Sequence, residues 1–548
     1  MVVAGCHVLT GEVLREVPRL LTAVDRASAD REYGCCDRYY WAWRYRDVPD
    51  ASLQNTLAIL AAAWRLPRSD ANPYGNSEQV AEWVRAGLRF LRSIQHPDGS
   101  FDQVCPNEHS IGATAYTLFG AVRAFRLVSP VMPPGESADV RAMLSRGARF
   151  VAASDETYGQ VSNHVALYAR VLLESSETLD ERSLRAPAVE LLERLRGWAR
   201  PEGWLPEYDG ADAGYQTQCL AHLARCSTLT HESWIDPLLR MMVSGFLQYA
   251  IHPDGSIGGE YGSRSNQVFY PSGFAYLAPT DPVAARVLTF MLDSIANGCT
   301  VVLRALDLDN AIRLALDYID ATEYPVAPVA RPGVLPFERD DVSHALPDAQ
   351  LMFRSTPRYY AVIGAGKGGV LKVFDKTSRR IVCNDGGCVS TLDDGTIVTS
   401  QYAQRAEVET SGSGVRIVAR FFKVPAAINT PPRLMAFRLL NLTVMRIPAL
   451  AELVKQRIAR MLITGWRAAC GEVERSITFG PDAVTVEDRV SGLDAGALQR
   501  CRCGGAFAFP RMAAGHAFQP GQLEPAAGRA TEQRSTGVLV RRLVVQLR

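Results

Sequence analysis

Five segments that read as helix beginnings recur at almost constant intervals through the first half of the chain. They lie near Asn55, His109, Asn163, Tyr215 and Asn266, in steps of 54, 54, 52 and 51 residues. One step accommodates two helices and two loops, a helical hairpin, and internal periods of this size mark stacked supersecondary units. Helices one whole hairpin apart run in the same direction, so their N-terminal ends share a rim. Five or six such hairpins, curved or closed, make an α/α toroid. The pattern inside the segments is helical: in "HSIGATAYTLFGAVRAF" the apolar Ile111, Ala115, Leu118, Phe119, Val122 and Phe125 fall on one face. The connections HPDGSFDQVCPNE, RPEGWLPEYDGADAG and HPDGSIGGEYGSRSN are Gly-, Pro- and Asp-rich turn chemistry with ionisable and aromatic side chains added.

After about residue 325 the period changes. The Pro-rich "YPVAPVARPGVLPFERDD" reads as a linker, and runs such as "GVRIVARFF" and "GVLVRRLVVQLR" alternate with period two between Gly-Gly and Asp-Gly turns. The expected fold class is therefore α+β and multidomain. An α/α toroid over 1–325 carries the substrate cleft, and an antiparallel β-sandwich over 326–548 follows it. Within the sandwich, "MRIPALAELVKQRIARMLITGWR" reads as a basic amphipathic helix, a helical insertion near 445–466.

The bulk composition is globular. A formal net charge of +1 over 548 residues provides no global field toward nucleic acid, so no nucleic-acid partner is expected. No apolar run reaches the roughly 18–20 residues that span a bilayer, and the first twenty residues lack the pattern of a secretory signal. The twelve cysteines are scattered without a disulfide framework or a zinc-site spacing. The expectation is a cytoplasmic protein with reduced thiols. No cofactor is expected: zinc or calcium would need a ligand cluster, and none is seen, so no metal-ligating residue is assigned. A homo-oligomer is compatible with this sequence.

The shared rim brings Glu108-His109, Asn163-His164, Tyr215, and Glu260-Tyr261 with Arg264 toward one mouth. Free N–H groups at helix N-termini favour an anionic ligand there. These residue types suit β-elimination from a uronic acid. The proton beside a carboxylate becomes removable when Asn and Arg donors neutralise the carboxylate as charge builds on it. A His or an ionised Tyr takes that proton, and a Tyr hydroxyl protonates the departing oxygen. Glu207, Asp209, Asp212 and Glu260 offer an alternative, a glycoside hydrolase with two carboxylates flanking the bond. A non-catalytic glycan-binding or biosynthesis-associated protein is the third reading.

"SNHVALYA", "GWLPEYDGADAGYQTQCLAHLA" and "DGSIGGEYGSRSNQVFYPSGF", followed by a sandwich, resemble the heparinase II/III-like (alginate-lyase-like) polysaccharide lyases. The resemblance implies a toroid joined to a sandwich and cleavage of an acidic saccharide by a carbon–oxygen lyase. By motif it places the catalytic residues at Asn163, His164 and Tyr215, with Glu108, His109, Glu260, Tyr261 and Arg264 around the substrate. It also implies a His-rich segment at the start of the sandwich that supplies a base or a zinc ligand. This chain has "GAGKGGVLKVFD" at 364–375 instead, leaving His344 and His516 as the sandwich's candidate histidines.

Overall fold

Successive helices of the first half differ in how much of their surface is apolar. In α5 (Ile111–Val128) and α7 (Ser162–Leu179) nearly every residue is buried, whereas α4 (Glu78–Ile94), α6 (Pro134–Ala153) and α8 (Arg185–Trp198) bury one stripe. A helix apolar all round needs neighbours on every side, and an amphipathic one needs a neighbour on one side only. The two kinds therefore sort into an inner and an outer layer. The computed structural model describes residues 2–156, 159–208, 210–324, 333–402, 405–424, 430–447, 467–505 and 528–547, with isolated residues between 450 and 457 and between 517 and 523.

The remaining helices of this half are α1 (Val2–Leu21), the short α2 (Arg38–Trp41), α3 (Thr56–Arg65), α9 (Ala213–Leu229), α10 (Ile235–Met241), α11 (Ser272–Leu277), α12 (Pro282–Asn297) and α13 (Leu308–Glu323). Inner helices pack in sequence, α3 on α5, α5 on α7, α7 on α9, α9 on α11 and α11 on α13, and α13 returns to α3. The toroid is thus closed, with six inner helices. Close approach is sequence-encoded at Gly120 of α5, where a Cβ would lie 2.6 Å from the Asn55 Cα.

Across the bore, charge ties the ring together. Asp320 of α13 pairs with Arg123 of α5 and, at 2.7 Å, with Arg170 of α7. Arg170 also reaches Glu174 at 3.2 Å, and Arg225 of α9 meets Glu174 at 3.1 Å. All but Arg225 are fully buried. Burial alone would raise the Glu174 carboxyl, but Arg170, Arg123 and Arg225 outweigh it and hold it down to about 2.

Two antiparallel sheets follow. The first is the meander β1 (Val342–Leu346), β2 (Leu351–Ser355), β3 (Tyr359–Gly364), β4 (Val370–Asp375) and β5 (Arg380–Asp385). The second contains β6 (Cys388–Thr391), β7 (Ile397–Thr399), β8 (Glu407–Ser411), β9 (Gly414–Lys423), β10 (Arg467–Phe479), β11 (Ala483–Ser491), β12 (Arg502–Cys503), β13 (Gly528–Ser535) and β14 (Val538–Gln546). Every residue of β3 and β4 is buried, which makes the first sheet a middle layer. Tyr360, Val362, Val370 and Phe374 join the toroid's core, while Tyr359, Ala361, Ile363, Leu371 and Val373 join the core between the sheets. Period-two alternation sends successive side chains to opposite faces; here both faces are apolar. Asp385 of β5 binds Arg475 of β10 at 2.9 Å and Arg541 of β14 at 2.7 Å, and Asp488 of β11 binds both arginines, so a buried ion cluster joins the sheets.

Three expectations change. The sandwich region carries helices at α14 (Pro431–Leu442) and Ala495–Arg500 that were not expected; of the expected insertion near 445–466 most lies outside the described residues, as does His516, and Leu450, Ala451, Leu453, Val454 and Arg457 within it are helical. Cys388 and Cys503 form a disulfide between β6 and β12, so the thiols are not all free. Asn266 precedes its helix by six residues, because α11 begins at Ser272 only after Pro271. Among the described residues, no helix is long and apolar enough to cross a membrane.

Removing the shared carboxylate should be costly. Asp320→Ala leaves Arg123 and Arg170 buried without it and is expected to lower unfolding free energy by about 3–5 kcal/mol, read from urea denaturation. Since the folded Glu174 carboxyl titrates at about 2 against an ordinary 4.5, its contribution is present above 4.5 and disappears as pH falls toward 2. Glu174→Gln should therefore flatten the acid limb of the stability profile; an unaltered limb would contradict the assignment.

Candidate active site

The N-termini of α7 and α9 open on one rim; α7 lacks a cap from its own N-cap residue, whereas α9 has one. Helix α7 begins at Ser162 after Val161, which makes no side-chain cap, so Asn163 sits inside the first turn. The carboxylate at this terminus comes from the next hairpin: Glu207 accepts from the Asn163 backbone N–H, and the Ser162 hydroxyl lies 3.4 Å from it. Asp212 caps α9 by accepting from Tyr215 N at 3.1 Å. It also accepts from the backbone N–H groups of Arg264 (2.9 Å) and Asn266 (3.2 Å), so one buried carboxylate fixes two loops of the rim.

On this frame the side chains converge. The Asn163 side chain is buried and donates from Nδ2 to Gln218 Oε1 at 3.3 Å, while its Oδ1 has no partner among the described residues. The His164 ring is a quarter exposed, with Nδ1 3.1 Å from Glu156 Oε1. The Tyr168 hydroxyl donates to the same carboxylate at 2.8 Å. Burial opposes ionisation of Glu156, but the imidazole and this hydroxyl prevail and hold the carboxyl below its usual range. An ionised carboxylate only accepts, so the neutral imidazole carries its proton on Nδ1 and its lone pair on Nε2.

His164 packs edge-on against Tyr116 at 5.9 Å, and the Arg313 guanidinium lies over the Tyr116 ring, 4.2 Å from its centroid. Arg313 in turn acts electrostatically on Tyr215. Tyr116 and Arg313 thus link the imidazole of α7 to the phenol of α9. Burial pushes the Tyr215 hydroxyl well above its ordinary range, and the nearby Glu207 and Asp212 push it further; Arg313 opposes them. Burial, then Asp212, also lifts Glu207 far above the carboxylate range. Burial thus favours the protonated form of both groups.

The other expected contacts lie elsewhere. Tyr261 is buried, its hydroxyl 3.0 Å from His252 Nε2, and Glu260 is buried in an ion pair with Lys372 of β4 at 2.6 Å; their side chains join toroid to sandwich. Glu108 accepts from Gln103 N (2.9 Å) and Val104 N (2.8 Å), organising its own loop. His109 lies 2.8 Å from Asp98, and its ring sits tilted against His96 with centroids 4.2 Å apart. Arg264 stays at the rim, stacked 3.6 Å from the Tyr208 ring centroid. His344 stacks on Tyr249 at 3.9 Å between the domains. Of the hydrolase carboxylates, Asp212 and Glu260 are fully engaged and Asp209 lies outside the described residues.

Sequence reasoning missed Glu156, Tyr116, Tyr208 and Arg313. Arg313 had a usable signal: one further step of 51 from Asn266 lands at 317, inside α13. Tyr208 carries a backbone φ of +59°, a conformation that non-glycine residues adopt at a cost and that clusters at functional sites. The implied zinc does not fit. The 364–375 segment presents Lys367 and Lys372, which are cations. Among the described residues, the Cys388–Asp488–Cys503 group joins a disulfide to a carboxylate already holding two arginines.

Because Glu207 binds its proton more tightly folded than unfolded, it costs stability as pH rises above its ordinary 4.5. Glu207→Gln, which mimics the protonated acid, should gain stability over wild type as pH rises above 4.5 in thermal melts. Equal pH slopes for the two proteins would oppose this placement.

No family model and no curated protein matches this chain. Solved structures do. A Streptomyces coelicolor A3 chondroitin AC lyase in complex with chondroitin sulphate superposes with a TM-score of 0.56 at 11% identity, covering 98% of this chain and 77% of that one. A heparinase III gives 0.52 at 11%, covering 88% and 71%. A Paenibacillus xanthan lyase gives 0.50 at 9%, and this chain spans 46% of its length. At these identities the likeness establishes the fold: a helical toroid followed by antiparallel sheets, shared with polysaccharide lyases.

Proposed function

We propose that this chain is a carbon–oxygen lyase that cleaves a uronic-acid-containing saccharide by β-elimination. The observation that carries the reading is the pairing of two proton-transfer groups of opposite readiness at one mouth. In its neutral form His164 has its lone pair on Nε2, because the Glu156 carboxylate accepts from Nδ1, and burial with the nearby Glu207 and Asp212 favours the protonated form of Tyr215. The fold likeness to polysaccharide lyases supports the same reading.

In this reading the substrate carboxylate lies against Asn163. Turning over both amides of the Asn163–Gln218 pair leaves the Asn163 Nδ2 donor for that carboxylate, and donors placed where charge develops stabilise the enolate-like transition state. Nε2 of His164 takes the proton beside the carboxylate. The electron pair of that C–H bond becomes the new carbon–carbon double bond, and the bond to the glycosidic oxygen breaks. The Tyr215 hydroxyl delivers its proton to the departing oxygen. Tyr116 packs against the imidazole, and the Arg313 guanidinium eases release of the Tyr215 proton against the burial that holds it.

The hydrolase alternative loses its groups: Asp212 and Glu260 are committed to caps and an ion pair, and Glu207 is buried at the α7 terminus.

The test is absorbance of the conjugated double bond during incubation with a panel of uronic-acid glycans. Tyr215→Phe and His164→Ala should each lower turnover about a hundred- to ten-thousand-fold, and Asn163→Ala about a hundredfold or more, with circular dichroism unchanged. Full turnover in Tyr215→Phe and Asn163→Ala would remove the proposal.

A further inference from the structure

Beside Arg264 the seam between the toroid and the first sheet opens into a cleft of about 320 Å³. The chain is nearly neutral overall, yet this cleft gathers Arg200 and Arg264 from the toroid with Lys367 and Arg405 from the sandwich, against one carboxylate, Asp348. Arg264 is more than nine-tenths buried, and its Nε and Nη2 have no partner among the described residues. A buried guanidinium without hydrogen-bond acceptors is costly. An anion in the cleft supplies the missing acceptors.

The walls are preformed. Glu202, next to the toroid's Trp204, accepts from the backbone N–H groups of Asp348 (2.8 Å) and Ala349 (3.1 Å) in the β1–β2 turn. Gln350 bonds both the N–H (3.1 Å) and the carbonyl (2.8 Å) of Ala406. Arg264 itself connects the cleft to the elimination centre, since its guanidinium covers Tyr208, the neighbour of Glu207.

We propose that the cleft is a second anion subsite, distinct from the position of the carboxylate being activated. It binds an acidic group, a sulfate ester or a carboxylate, on the sugar adjoining the cleaved bond. The substrate is then a saccharide with acidic groups on successive residues. This rests on the lyase reading for its position along the substrate, but binding is measured without turnover.

The experiment is calorimetric titration of the full chain with three probes: a chondroitin sulfate hexasaccharide, its desulfated form, and its carboxyl-reduced, desulfated neutral form. At least one acidic probe should bind, weakening with salt, and the neutral one should not. The exposed pair Arg200→Gln/Arg405→Gln, verified by its melting temperature, should weaken acidic binding about tenfold or more, while Tyr215→Phe binds as wild type does. Binding lost on desulfation assigns the subsite to sulfate, and binding kept assigns it to carboxylate. Equal binding of neutral and acidic probes, unchanged affinity in the double variant, or no binding of either acidic probe overturns the proposal. Acidic binding that depends on the two arginines but yields no double bond keeps the subsite and removes the lyase.

Discussion

The ring closes because one carboxylate serves three inner helices. Asp320 of α13 binds arginines of α5 and α7, and α7 passes the connection to α9 through Glu174 and Arg225. Apolar packing alone is indifferent to small rotations of each helix. Buried charges are not, since an unpaired one is expensive. The network thus sets the angular position of each inner helix, and with it the direction in which the residues of each first turn point. The rim chemistry depends on that setting.

At the rim, carboxylates do three different jobs. Asp212 is spent on backbone N–H groups and ties the α9 terminus to the following loop. Glu156 is ionised and orients an imidazole. Glu207 is pushed toward its protonated form by burial and by Asp212, and raises the Tyr215 hydroxyl in its turn. Similar residue types are thus pushed in opposite directions by burial and partners. The cations follow a comparable division: those of the bore are paired, whereas Arg264 has donors left over beside a cleft.

The five-stranded sheet couples the two halves. Its strands bury side chains on both faces, so the toroid and the second sheet share one middle layer. Lys372, on the toroid-facing side of β4, meets Glu260, and the Tyr360 hydroxyl donates to the Tyr249 carbonyl at 2.5 Å. Glu260, expected to touch substrate, instead holds this seam, and Tyr261 packs in it while also lining the cleft.

Much of the architecture was legible from the sequence because it is periodic. A repeat near 53 residues means helical hairpins, and a change to period two means strands; both follow from local geometry. The placement of Asn163, His164 and Tyr215 in first turns on a common rim follows from the same repeat. Ring closure was not legible, since α13 starts beyond the last recognised repeat and returns to α3 through contacts remote in sequence. Nor could the sequence separate Arg264 and Tyr261, which line a cleft, from Glu260, four residues before Arg264, because only the docked sheet decides which of them it covers. The protonation states of Glu207 and Tyr215 are likewise tertiary facts. They come from burial and from charges brought close by folding, which spacing along the chain does not encode.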